Sequence, residues 1–312
     1  MQFRNHLQFL FFITPAILWV IMLLIESFLF NVHELFYMIV SFLPFLSVFV
    51  VVFYTMFFIR KRTKKTKYFL ISVVGLCLIL YTDHWISFGD SPSNKATTIN
   101  VMTLNVQRLG ALTNDDTDTN LKSITRLIKS TNSELVVLQE ISVNQSKKLS
   151  EKLNCSPSNY QWTSYYNGAK GGLGVFLIDN TTWTMTNKNV TNLPPAWKCV
   201  YTELRHENGK TINVLGVHIA PPKVTVEDLS NSTHQILRGN QSNLKKTLKR
   251  YVRQARKQTQ QVDRINILIN SFNDPTIIAG DFNSTSQLPI HKVLRRNLKD
   301  TWLEAGNGLG AT

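Results

Sequence analysis

Four apolar segments of this 312-residue chain end in side chains suited to a phosphate or a hard cation: TLN at Asn105, LVVLQE at Glu140, VLGVHIAPP at His218, and IIAGDFN at Asp281 and Asn283. A carboxylate with amide and imidazole neighbours offers oxygen ligands for a hard divalent ion. It also offers a base for a water molecule and neutral hydrogen-bond donors for phosphoryl oxygens. Taken singly, each has an ordinary reading: a solvated Glu closing a strand, a structural His, a turn at G-D-x-N. Joint chemistry requires that they converge, and that depends on the elements carrying them.

Those elements can be read from periodicity. TTINVMTLNV alternates β-branched and polar residues as a strand does. LKSITRLIKSTNSE then spaces Leu121, Ile124, Leu127 and Ile128 along one helical face, and LVVLQE follows as an apolar strand. Beyond it come GGLGVFLI, a strand pair around CVYTELRHENGKTINVLGVHI with a turn at Asn208-Gly209, a long polar helix from about Ser230 to Phe272, and the strand TIIAG. Hairpins mixed with helix-linked strands predict sheets covered by helices, an α/β (α+β) layered fold.

With 44% hydrophobic residues, and 34 Lys plus Arg against 20 Asp plus Glu, the chain is neither collagen-like nor low-complexity nor wholly disordered. Its two parts differ sharply. Residues 1–87 are dominated by Phe, Leu, Ile and Val and predict a membrane anchor of three helices at about 7–30, 35–58 and 68–86, each of a length that crosses a hydrocarbon core of about 30 Å. RKRTKKTK, between the second and third spans, carries six positive charges and is assigned to the cytoplasm, as is the N-terminus. An odd number of spans then places the rest outside, making this an integral protein of the cell or inner membrane with an extracytoplasmic C-terminal domain. Residues 88–96, rich in Gly, Ser, Pro and Asn, read as a linker, and the domain runs from 97 to 312. Cys155 and Cys199 are compatible with a disulfide or with two buried thiols.

The order of motifs, a strand ending in Asn105, LQE at Glu140, V-x-H at His218 and GDFN at Asp281 and Asn283 after a long helix, resembles the endonuclease/exonuclease/phosphatase superfamily of metal-dependent phosphoesterases. The resemblance covers about Thr97 to Thr312, and the three preceding spans are similar to those of its membrane-anchored bacterial members. It implies a four-layer sandwich of two face-to-face sheets with helices outside. It further implies Mg²⁺ or Mn²⁺ as cofactor and a phosphate ester as substrate: nucleic acid, phospholipid headgroup or phosphorylated metabolite. Carried over position by position, Glu140 is the principal metal ligand, with Asn105 beside or just behind it. Asp281 orients and deprotonates water, Asn283 donates to phosphoryl oxygens, and His218 contacts the scissile phosphate. Superfamily members continue past the equivalent of LKDTWLEAGNGLGAT into a further strand and a Ser-Asp-His motif. The resemblance therefore implies a truncated form, inactive or impaired, whose His291 does not replace the missing His by motif position.

KKTLKRYVRQARKQ, from Lys245, places seven positive charges on a helix with no acid among them, a face for nucleic acid or anionic lipid headgroups, or simply for solvent. The alternative to an enzyme is a non-catalytic, membrane-tethered module that uses this helix to dock anionic partners. The aromatic group from Trp162 to Tyr166 suits a substrate loop and core packing equally. The expected topology is checked with a reporter fused after Lys170: activity only on the outer side of the membrane is expected, and activity only in the cytoplasm contradicts it.

Overall fold

The computed structural model describes residues 17, 20–21, 35–61, 63–64, 67–75, 86–88, 97–110, 117–165, 171–179, 181–195, 197–221, 242–284 and 288–309. It divides into two compact units, one of 1–93, 223–256 and 285–312, the other of 94–222 and 257–284. The second unit carries every strand-end residue singled out above.

That unit is built on two four-stranded mixed sheets. The first has β2 (Val101–Asn105), β3 (Leu135–Ile141), β5 (Gly172–Leu177) and β4 (Tyr160–Ser164) in that order, with β2 and β3 parallel. The second has β6 (Trp183–Leu193), β7 (Trp197–His206), β8 (Thr211–His218) and β9 (Thr276–Asp281), with β8 and β9 parallel. The turn joining β7 to β8 is at Asn208-Gly209, as its sequence predicts. A helix α2 (Thr117–Ser130) supplies the crossover between the parallel pair β2 and β3.

The core lies between the sheets. Leu135, Val137, Leu173, Val175 and Leu177 of the first meet Val200, Leu204 and Val214 of the second, all fully buried. Because strand side chains alternate, Val136, Leu138 and Phe176 point the other way and pack under α2 and α3 (Val143–Lys152) through Leu121, Ile128 and Leu149. A reciprocal capping box between Ser142 and Gln145 starts α3 immediately after β3. On the outer face of the second sheet, Tyr201 stacks on Phe272 at 4.9 Å, just beyond α4 (Ser242–Asn270), whose Val262, Ile265 and Ile269 are buried. The order is helix, sheet, sheet, helix. Gly216 sits in the inter-sheet layer, where an added Cβ would lie 2.9 Å from Val175 and 3.3 Å from Val137.

In the other unit, α1 (Leu35–Lys61) contains the second expected span and has no charged residue before Arg60. The first expected span lies outside the described residues apart from helical positions at 17, 20 and 21, and the third is described only as helix at 67–75. Its expected last residue, Ile86, instead opens β1 (Ile86–Phe88), which pairs antiparallel with β10 (Asn307–Leu309). The side chains of α1 are described from Leu46 onward, and among the described residues no helix is both long and apolar enough to cross a membrane. On the first half of α4, Lys245, Lys246, Lys249, Arg250 and Arg253 line a cavity of about 440 Å³.

Cys155 and Cys199 are free thiols, and burial pushes both up to about 12, which leaves them protonated and unreactive. Gly216→Ala is expected to force the sheets apart and cost about 1–3 kcal/mol, the usual scale of overpacking, read as a lower denaturant midpoint at unchanged slope. An unaltered midpoint would show that Val175 and Val137 yield freely.

Candidate active site

The ends of β2 and β3 in one sheet and of β8 and β9 in the other bring Asn105, Glu140, His218 and Asp281 together. Asn105 is the hub. Its Nδ2 donates to Glu140 Oε1 at 3.1 Å and to Asp281 Oδ2 at 2.9 Å, tying a carboxylate of each sheet to one amide. Its Oδ1 accepts from the Gln107 backbone N–H at 3.0 Å, which fixes the orientation of the amide.

Glu140 owes its position to a bulge. The register between β3 and β5 shifts between Gln139 and Ile141, and Glu140 has φ 59°. A bulge of this kind re-aims one side chain while its neighbours stay in the pleat. Here Gln139 and Ile141 are buried and Glu140 alone in β3 is half-buried. The Glu140 backbone N–H, released from the ladder, donates to the Tyr165 hydroxyl.

Asp281 pairs in register with His218 at the end of the parallel ladder β8–β9. Gly280 before it has φ 154°, and a Cβ there would lie 1.9 Å from the Val217 carbonyl oxygen, so no side chain fits where the strands approach. Asn283, with φ 48°, donates its backbone N–H to Asp281 Oδ1 at 2.8 Å and its Nδ2 to the Ile219 carbonyl at 2.8 Å. One N–H of that amide is left over for another acceptor. Gln258 and Gln261 of α4 brace the same corner, bonding the Ala220 carbonyl and N–H at 2.9 Å each.

His218 has a side chain 4% exposed, against 27% for Asp281, with Nε2 at 3.9 Å from Asp281 Oδ2. The rings of Tyr165 and Trp197 meet it edge-on, at 4.5 and 5.4 Å. Burial lowers its pKa from the ordinary 6.5, while the charges of Asp281 and then Glu140 pull it part of the way back. Burial likewise raises the Tyr165 hydroxyl, keeping it neutral as the acceptor for Glu140 N–H.

All five residues expected from the sequence therefore gather at one end of the sandwich. Tyr165 takes the core reading of the aromatic segment, and Trp162 does so as well, its indole N–H bonding the Ile141 carbonyl at 3.1 Å. The hydroxyl contact of Tyr165 and the capping role of Gln145 were not anticipated, nor was the presence of Arg108 beside the cluster. An aromatic in a mixed segment and an arginine three residues past a strand end carry no periodic signal.

Among the described residues, no lysine or arginine forms an ion pair with Glu140 or Asp281, and no three His, Cys, Asp or Glu side chains converge as a cage. The oxygen donors that face the cluster are those of the two carboxylates, since Asn105 turns its Nδ2 toward them and its Oδ1 to Gln107. They fit a hard divalent ion that keeps much of its water, and they do not suit Zn²⁺.

The lowered His218 pKa makes the metal-free protein pH-sensitive. Stability is fully present above the ordinary 6.5 and is lost as pH falls through the lower folded value, because the unfolded chain binds the proton more tightly. Asp281→Asn removes the larger charge that raises this pKa, so the imidazole is expected to titrate at still lower pH by NMR. An upward move would contradict the arrangement.

Residues 102–312 match the sequence model of the Endonuclease/Exonuclease/phosphatase family. No curated protein sequence matches the chain. Among solved structures, an endonuclease/exonuclease/phosphatase family protein of Bacteroides thetaiotaomicron aligns at TM-score 0.43 and 12% identity over 63% of this chain and 66% of its own. A counterpart from Bacteroides vulgatus aligns at TM-score 0.46 and 15% identity, over 65% and 72%. A mannosyl-6-phosphatase of Bacteroides thetaiotaomicron aligns at 0.42 and 12%, over 63% and 69%. The chain thus spans about two thirds of the length of the first of these. On the strength of the sequence match from 102 to 312, the chain belongs to the Endonuclease/Exonuclease/phosphatase family.

Proposed function

We propose that this protein is a membrane-anchored, divalent-metal-dependent phosphoesterase whose catalytic domain lies outside the cytoplasm. The observation that carries the catalytic part is the meeting of Glu140 and Asp281, from different sheets, on the single amide of Asn105.

In this reading Glu140, with Asn105 beside it, holds Mg²⁺ or Mn²⁺. The bound ion would neutralise negative charge as it builds on the phosphoryl oxygens. Asp281, the more exposed carboxylate, orients a water molecule and takes its proton. Asn283 donates its remaining amide N–H to a phosphoryl oxygen, and the neutral His218, kept so by burial, contacts the phosphate as a hydrogen-bonding group. The ring walls of Tyr165 and Trp197 exclude water from the imidazole. The substrate is a phosphate ester met outside the cell: nucleic acid, a lipid headgroup or a phosphorylated metabolite.

The anchoring part draws on α1. From Leu35 to Ile59 its sequence carries no charged residue. Val48, Phe49, Val52, Met56 and Ile59 are about half or more exposed, an apolar surface suited to lipid.

Two carboxylates sharing one donor repel each other, so a cation between them stabilises the folded state by linkage, about 2.7 kcal/mol at a hundredfold excess over its dissociation constant. Mg²⁺ or Mn²⁺ is expected to raise the melting temperature of the protein, and Glu140→Gln to weaken the response about tenfold or more. Identical metal titrations of the two proteins would remove Glu140 as a ligand and with it this reading.

A further inference from the structure

One cation at the strand-end cluster has no role in the chemistry above. We propose that Arg108 anchors the substrate phosphate, its guanidinium taking a non-bridging oxygen on the Gly171 side of Glu140. This rests on the phosphoesterase reading and adds to it a binding group that acts independently of the metal.

The backbone points there first. Gln107, Arg108 and Leu109 have φ of 44°, 57° and 54°, a run of left-handed residues with no glycine among them. Such a run persists only where its surroundings enforce it. Leu109 N–H bonds the Val106 carbonyl at 2.7 Å, Gln145 Nε2 holds the Arg108 carbonyl at 2.7 Å, and Asn120 Nδ2 holds the Leu109 carbonyl at 3.0 Å. The Leu109 side chain is 3% exposed in the core under α2 and α3. Gln145 is also the capping-box residue of α3, so the helix that follows Glu140 fixes the turn that carries Arg108.

The side chain points there as well. Arg108 Nε is shielded from solvent, and among the described residues it has no hydrogen-bond partner and the guanidinium forms no ion pair. A methyl group placed on Gly171 would sit 3.8 Å from Arg108 Nε and 3.6 Å from Glu140 Cα, so the guanidinium lies beside the backbone of the proposed metal ligand. Gly171 itself places no side chain between them. A dehydrated, unbonded guanidinium N–H is costly unless an acceptor arrives, and the planar fork of arginine matches the oxygens of a phosphate. Glu140 is the nearby anion, yet Arg108 does not pair with it. The arginine is therefore available to an oxyanion that enters from outside.

The test is calorimetric titration of inorganic phosphate into the full chain in neutral detergent, with and without Mg²⁺, for the wild type, Arg108→Met and Arg108→Lys. Arg108→Met is expected to weaken phosphate binding about tenfold or more, the scale of a lost charged hydrogen bond, both with and without Mg²⁺. Arg108→Lys keeps the charge without the fork and is expected to fall between. The Mg²⁺-induced thermal shift should be retained in both variants, which also reports that they fold; if Arg108→Met does not, Arg108→Lys and Arg108→Gln decide. Wild-type affinity for phosphate in the variants, or no phosphate binding by the wild type at millimolar concentration, overturns the proposal. A phosphate affinity that depends on Arg108 in a protein indifferent to Mg²⁺ would instead sink the metal reading and leave this one standing.

Discussion

A single side-chain amide holds the two halves of the strand-end cluster in register. Asn105 Nδ2 donates to a carboxylate from each sheet, and its carbonyl oxygen is committed to the Gln107 N–H. The amide therefore cannot turn over without losing all three bonds. The carboxylates it joins belong to different sheets, so their separation follows from how closely those sheets pack. That distance is set far from the cluster by the buried layer of Val137, Val175, Leu173 and the side-chain-free Gly216. Packing in the core and geometry at the strand ends are one constraint, because close-packed interiors transmit displacement rather than absorbing it.

Backbone strain is concentrated at the same end of the sandwich. Left-handed φ occurs there at Gln107, Arg108, Leu109, Glu140 and Asn283, against Asn132 and Asn154 elsewhere among the described residues, while Gly280 occupies a conformation that no L side chain would tolerate. The strand interiors that lead there are regular and buried. Rigid strands hold strained ends in place, and at Glu140 the bulge turns the side chain out of the pleat toward Asp281 and Asn105. A relaxed backbone at Glu140 would restore strict alternation and return its side chain to the sheet face.

Electrostatics favours the same conclusion. Two carboxylates stand together with a buried histidine that is driven toward neutrality, and among the described residues no lysine or arginine is paired with either acid. A protein that wanted only stability would place a cation between them. In the proposed reading this negative charge is left for an external cation. In the same reading neutral donors at Asn283 and His218 serve phosphoryl oxygens, and Arg108, without an ion-pair partner among the described residues, stands to one side.

Much of this was legible in the amino-acid order. Alternation marked the strand around Asn105, a short apolar run marked the one before Asp281, the 3.6-residue spacing of Leu121, Ile124 and Ile128 marked α2, and polar residues closing apolar runs marked all five cluster members, because each of these signals is local. The charge-free run within α1 was equally plain. What only the tertiary structure decided is non-local. The pairing of β3 with β5 creates the bulge at Glu140, and the meeting of two sheets lets Asn105 reach Asp281, 176 residues away in sequence. The same packing placed Tyr165 in the core with its hydroxyl on the Glu140 N–H, and let Gln145 of α3 clamp the left-handed turn that presents Arg108. It also kept Cys155 and Cys199 as separate free thiols. Periodicity records which face of an element is apolar, but which strand becomes its neighbour, and so which backbone must bend, is settled only when the faces close on one another.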